Sequence, residues 1–193
     1  MRHSIHRYHA ACSSRTRTCI AAACLLLCLT LAARGQANGH AAGADCDSYD
    51  RPVARELELL DVLGRPTMIA ARSPEEVSPR LSLGKAASVV LAAQAGVEFV
   101  AAPGRVTLDE GGYAGIVAVM VPKDGRYRVS LTNGSWIDVI AGKTVLESAA
   151  FAGRAECRPL RKLVEYELEA GRHLMQISGA TDETIGVVVT ALE

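Results

Sequence analysis

The chain has 193 residues, 49% of them hydrophobic and 22% charged, with 21 basic and 21 acidic side chains. The zero balance hides an asymmetry: residues 1–37 hold Arg2, Arg7, Arg15, Arg17 and Arg34 and no acid, leaving 16 basic residues against all 21 acidic ones in the rest. An acidic body excludes nucleic acid as the expected partner, because that binding rests on Lys and Arg neutralising phosphates, and the apolar fraction excludes a disordered chain.

Residues 1–17 are polar and basic, residues 19–33 form an uncharged apolar run, and Gly35-Gln36-Ala37 follows as a small-residue exit. That order predicts a secretory signal peptide over residues 1–37. The apolar run falls short of the roughly 20 residues a membrane helix needs, so no membrane span is expected after leader cleavage. Arg34, close to the cut, leaves an uncleaved anchor as the alternative. Cys12, Cys19, Cys24 and Cys28 all lie in the leader, and the remaining body keeps only Cys46 and Cys157. An even pair in an exported chain predicts a disulfide and a periplasmic or secreted location. The bond would close a loop of about 110 residues, worth roughly 4–5 kcal/mol in the chain-entropy model.

Residues 38–84 read as an N-terminal segment with one or two short helices. Val53, Leu57, Leu60 and Leu63 recur near helical spacing, and Gly64 and Pro66 stop the pattern. Ser73-Pro74-Glu75-Glu76 combines a hydroxyl cap, a proline at the first position and acids at the positive helix end, while Pro79 limits it to about a turn. Residues 85–193 change character: β-branched and aromatic runs alternate with Gly, Asn and Asp punctuation. Strands are predicted at 88–92, 97–101, 114–121, 126–132, 135–140, 144–148, 162–168, 173–178 and 184–191. Lys123-Asp124-Gly125 and Asn133-Gly134 suit tight hairpins. Connections of about two to six residues favour antiparallel neighbours, and residues 149–161 are long enough to pass between sheets.

Within these strands Tyr127, Val129 and Leu131 share one face, and Arg126, Arg128 and Ser130 the other. Val164, Tyr166 and Leu168 point inward, with Glu165, Glu167 and Glu169 as a solvated row. The expected fold class is therefore mostly β: an antiparallel β-sandwich or jelly-roll-like domain over 85–193, preceded by the short helices.

No catalytic motif stands out. His3, His6 and His9 fall in the leader, His40 lies near the start of the body, and His173 stands alone on a strand. HExxH, CxxC and GxSxG patterns are absent, so no catalytic residue, metal or cofactor is expected. The residues singled out for ligand binding are Trp136, Asp138 and Arg128. Trp136 and Asp138 share a strand face opposite Ile137 and Val139, which could display the lone tryptophan beside a carboxylate for stacking on a sugar or another planar ligand. The alternative is that Trp136 fills the core and Asp138 is paired with Arg161 or Lys162.

The run from Asp124 through Val129, Trp136 to Val139, Cys157 with Arg161-Lys162, and Ala170-Gly171 through Ser178-Gly179 resembles a group of small exported proteobacterial proteins of unestablished activity, over roughly residues 51–193. Some members carry a homogentisate 1,2-dioxygenase label, which implies a cupin-type iron site of His and Glu ligands. A looser likeness, through the Gly-x-Tyr-x-Val cadence at Gly125 to Val129 and the Ala-Gly to Ile-Ser-Gly cadence at Ala170 to Gly179, is to the pre-peptidase C-terminal domain, an accessory β-sandwich of secreted enzymes.

Three functions follow as expectations. The first is an exported, non-catalytic binding or accessory module for a glycan, a small molecule or a protein. The second is a metal-dependent dioxygenase in which His173 lies near Glu165 or Glu167. The third is a homo-oligomer joined through edge strands.

Overall fold

The β-branched runs do form strands, and their short polar links fold them back on one another. The structure, a computed structural model, describes residues 46–65, 67–78, 80–105 and 111–193, which belong to a compact unit running from Asn38 to Glu193. The predicted leader at 1–37 and His40 lie outside the described residues.

The protein is mostly β, a sandwich of two sheets. The first sheet has the order β1 (Met68–Ile69), β3 (Ala86–Val90), β12 (Thr184–Ala191), β6 (Gly125–Leu131), β10 (Lys162–Leu168), β9 (Ala150–Gly153). The second runs β2 (Arg80–Leu81), β5 (Tyr113–Val121), β11 (Gly171–Ala180), β7 (Trp136–Ala141), β8 (Thr144–Val145), with β4 (Ala92–Ala93) also on β5. Most pairs are antiparallel, but the tight hairpins expected at Lys123-Asp124-Gly125 and Asn133-Gly134 are not formed: these short links carry the chain from β5 to β6 and from β6 to β7, from one sheet to the other. The two exceptions, β1 with β3 and β2 with β5, are parallel and come from the N-terminal segment, which thereby adds an edge to each sheet.

Alternation places Val129 and Leu131 of β6, Val187 and Val189 of β12, Val117 and Val119 of β5, and Met175 and Ile177 of β11 in one core between the sheets. Each such side chain contributes about 1.5–3 kcal/mol on full burial. Where β11 must bend, its register shifts between Ile177 and Ala180. Gly179 there adopts φ +62°, a conformation that a side chain would disfavour.

Three segments depart from the predicted pattern. Residues 97–101 are not a strand: Val97 ends a single 3-10 turn (Gln94–Gly96), and the chain then lies over Gln176, whose Oε1 accepts from the Val100 and Ala101 amides while its Nε2 donates to the Ala101 carbonyl. A side chain supplies here the hydrogen bonds that a neighbouring strand would. The 149–161 link contains β9, whose Ala/Gly-rich sequence has little strand propensity of its own but pairs along β10. Passage between the sheets is not confined to this link: from β5 onward the chain changes sheet at β5–β6, β6–β7, β8–β9, β10–β11 and β11–β12.

The third departure is the outer face of the first sheet, which is not solvated. Residues 46–63 cross it as a strap built around α1 (Ala54–Asp61). The predicted helical stripe holds: Val53 and Leu60 are buried, and Leu57 and Leu63 pack beside them against Leu160, Leu163 and Val188. Cys46 and Cys157 are joined in a disulfide, and the Tyr49 hydroxyl donates to the Leu160 carbonyl at 2.8 Å.

Because the strap excludes water, the charges beneath it must be paired. Glu165, expected in a wet row with Glu167 and Glu169, is 5% exposed, whereas those two neighbours are exposed. Its Oε1 accepts from Arg128 Nη2 at 2.9 Å and from Arg51 Nη1 at 3.1 Å, and Arg126 Nε lies 3.2 Å from its Oε2. Glu56 of α1 takes the Thr190 hydroxyl at 2.6 Å and lies 3.4 Å from Arg128 Nη1. Burial alone would raise the Glu165 pKa; the hydrogen bonds from Arg128 and Arg51 outweigh it and hold the carboxyl below its ordinary value.

Candidate functional site

The hairpin turn at Gly142 (φ +61°) returns the chain from β7 into β8, but β8 is short and pairs only with Ile140 and Ala141. The preceding residues of β7, Trp136 to Asp138, therefore have β11 on one side and no strand on the other. β10 of the opposite sheet passes this gap. The Tyr166 hydroxyl donates across it to the Ile137 carbonyl at 3.1 Å, and burial, with the nearby Asp138 charge, pushes the phenol pKa far above its usual range. Between β7, β10 and the β8–β9 link lies a cleft of about 180 Å³, lined by Trp136, Asp138, Leu146, Phe151, Lys162 and Tyr166 among others. The lining is mainly apolar with a few polar groups, as small-ligand sites generally are. Phe151 is 73% exposed.

Ile137 and Val139 enter the core, so Trp136 and Asp138 share the other face as alternation requires. Neither alternative weighed for the pair describes it fully. Trp136 is partly buried rather than a core side chain, and its Nε1 donates to Asp138 Oδ1 at 2.9 Å. Asp138 is buried, and its Oδ2 also accepts from the Gly104 amide at 3.2 Å and from Gln176 Nε2 at 3.3 Å. Gly104 has no side chain for a reason: a Cβ there would stand 2.9 Å from Asp138 Oδ1 and 3.0 Å from Trp136 Nε1.

Of the two cations expected near Asp138, Arg161 instead donates to the Ala155 carbonyl. Lys162 stands with its Nζ 4.8 Å from the centre of the Trp136 ring, a cation–π contact, and donates to the Ser135 carbonyl at 2.8 Å. Burial and the nearby charge of Arg105 lower the Lys162 pKa, and Asp138 opposes them. The indole is thus held on its N–H edge by a carboxylate and over its ring by an ammonium, which fixes its orientation without a fully buried pocket.

Arg128, the third residue singled out, is not part of this arrangement. It belongs to β6 under the strap, is 5% exposed, and spends its guanidinium on Glu165, Glu56 and the Pro52 carbonyl. Tyr166 and Phe151 carry no sequence signal for ligand binding, and Lys162 enters the sequence reading only as a possible partner of Asp138. What the sequence does hold is a strand pattern: Lys162 opens the strand that carries Val164 and Tyr166 inward, toward the same core as Ile137.

The donors of a His/Glu iron site are not assembled around His173. It is buried on β11, its Nε2 donates to the Glu169 carbonyl at 2.8 Å, and its Nδ1 has no partner among the described residues. Glu165 is committed to arginines under the strap. Among the described residues no group of three or more His, Cys, Asp or Glu side chains is placed to hold a metal, so the described residues do not fit the iron centre that the dioxygenase label implies. Among the described residues, too, no helix is long and apolar enough to cross a membrane. No protein-family model matches this chain, and no match to it was found among curated proteins.

Proposed function

We propose that this chain is an exported, non-catalytic β-sandwich that acts as a binding or accessory module, with the cleft between β7 and β10 as its ligand site. The observation that carries the reading is Trp136: the chain's only tryptophan is held at the cleft by Asp138 and Lys162 while remaining partly exposed. An oriented aromatic ring beside a small number of polar groups is what a recognition site needs, since little is left to order on binding. The polar groups of Trp136, Asp138, Lys162 and Tyr166 are tied to backbone, to Gln176 or to one another. That arrangement suits holding a ligand, whereas a general acid or base has to exchange a proton with its substrate.

Export is supported by the Cys46–Cys157 disulfide, which suits an oxidising compartment, together with the basic and apolar order of residues 1–37. An accessory role is what the likeness to the pre-peptidase C-terminal domain implies.

The experiment is to screen a fragment library against isotope-labelled, disulfide-bonded protein by amide and indole chemical shifts. Hits that perturb Trp136, Asp138, Leu146 and Lys162 together support the reading. Hits that cluster elsewhere, or a library that moves no resonance in this region, overturn it.

A further inference from the structure

Lys162 forms no ion pair among the described residues of the cleft, although the Asp138 carboxylate also lines it. Among the described residues no carboxylate lies within ion-pairing distance of Lys162 Nζ; its contacts are the Ser135 carbonyl and the face of Trp136. An ammonium carries three donors, and withdrawing one from water without a counter-ion is costly. Asp138, the nearest acid, already accepts from Trp136, Gly104 and Gln176. Arg105 adds a second positive charge close enough to act on Lys162.

From this we infer that the cleft takes a small organic monoanion, a carboxylate with a short apolar body: the carboxylate sits on Lys162 Nζ and the body lies along Leu146, Phe151 and Tyr166. The inference rests on the cleft being the binding site and specifies its ligand chemistry. Size, polarity and charge each narrow the class. A volume of about 180 Å³ is close to the roughly 150 Å³ of an engineered cavity that holds benzene, so it suits one ring or a chain of a few carbons rather than an oligosaccharide. The apolar walls disfavour a polyol. One lining cation disfavours a dianion, and the Asp138 carboxylate, the one acid among the described lining residues, is already taken up by Trp136, Gly104 and Gln176, which leaves Lys162 as the group that selects the ligand's charge.

The test uses three probes of one shape, hexanoate, 1-hexanol and hexylammonium, titrated at fixed ionic strength into the full oxidised protein and read by Trp136 emission and indole chemical shift. Hexanoate is expected to saturate and to bind about tenfold or more tighter than hexanol, the increment of a charge-assisted hydrogen bond. Lys162→Met and Lys162→Gln should remove that advantage, so that hexanoate no longer binds either variant more tightly than hexanol does. Should either variant fold poorly, wild-type protein gives the same information: the ratio of hexanoate to hexanol affinity should fall as pH rises through the Lys162 titration, and a constant ratio overturns the anion inference. Equal binding of hexanoate and hexanol, or preference for hexylammonium, overturns the anion inference and leaves the cleft as a binding site. Failure of all three probes to move Trp136 overturns both.

Discussion

Arg128 gives the sharpest test of how the strap is held. Its guanidinium serves Glu165 Oε1 through Nε at 3.2 Å and Nη2 at 2.9 Å, the Pro52 carbonyl at 2.7 Å and Glu56 Oε2 at 3.4 Å. In Arg128→Met the aliphatic stem is kept and the charge removed. Glu165 still has Arg51 at 3.1 Å and Arg126 at 3.2 Å, but Glu56 is left with only the Thr190 hydroxyl. The damage therefore concentrates on one buried carboxylate and one orphaned carbonyl. Removing a partner from a buried ion pair costs about 3–5 kcal/mol, and the surviving arginines place this variant near the lower figure, about 3 kcal/mol. That is a large share of the roughly 5–15 kcal/mol by which a domain is stable. The assay is urea unfolding followed by far-UV circular dichroism with the disulfide intact. Adding Glu56→Gln to Arg128→Met removes the uncompensated charge and should return about 1–2 kcal/mol. A single variant within about 1 kcal/mol of wild type, or a double variant less stable than the single one, would show that the cluster is wet and that the strap is held by its apolar contacts alone.

Three further outcomes are expected. Replacing both cysteines (C46S/C157S) opens a closure of 111 residues and should cost about 4–5 kcal/mol in the chain-entropy model; an unchanged urea midpoint would contradict this. Glu165 has a depressed pKa in the folded state, so its contribution is complete above the ordinary value of 4.5 and is lost as pH falls through the folded value. Midpoints should accordingly drop more steeply below pH 4.5 for wild type than for E165Q, and parallel curves would refute the assignment. Gly104→Ala sets a Cβ against Asp138 and Trp136, so the overlying loop must lift. Tryptophan emission should shift to the red at a stability cost of about 1–2 kcal/mol, and an unaltered spectrum would mean that the contact is not tight.

Strand periodicity carried much of the architecture, because a strand with one core face writes its pattern into alternate residues; Val129 with Leu131 and Ile137 with Val139 were legible for that reason. The disulfide followed from counting. What alternation cannot say is whether the other face is wet. Glu165, Glu167 and Glu169 look identical in sequence, yet only the first lies beneath the strap. The register that sets Glu165 opposite Arg128 is a long-range fact, invisible until the strands are paired. Residues 97–101 show the complementary limit: an apolar run can be satisfied by one amide side chain, Gln176, instead of a neighbouring strand. At the cleft, Trp136 and Asp138 were visible as a pair, whereas the contribution of Lys162 depends on two sheets meeting. Arg128 resembled a surface candidate because nothing local announces a covering helix.

The position of β12 has a consequence for biosynthesis. The last strand of the chain occupies the interior of its sheet, between β3 and β6, and the strap rests partly on it through Val188 and Thr190. The strap and β3, which precede β12 in the chain, must therefore wait for it before they can settle. Cys46 and Cys157 both precede β12 in the chain, so their oxidation fastens the strap without itself depending on β12; a chain halted before β12 keeps both thiols and lacks part of the layer on which the strap rests.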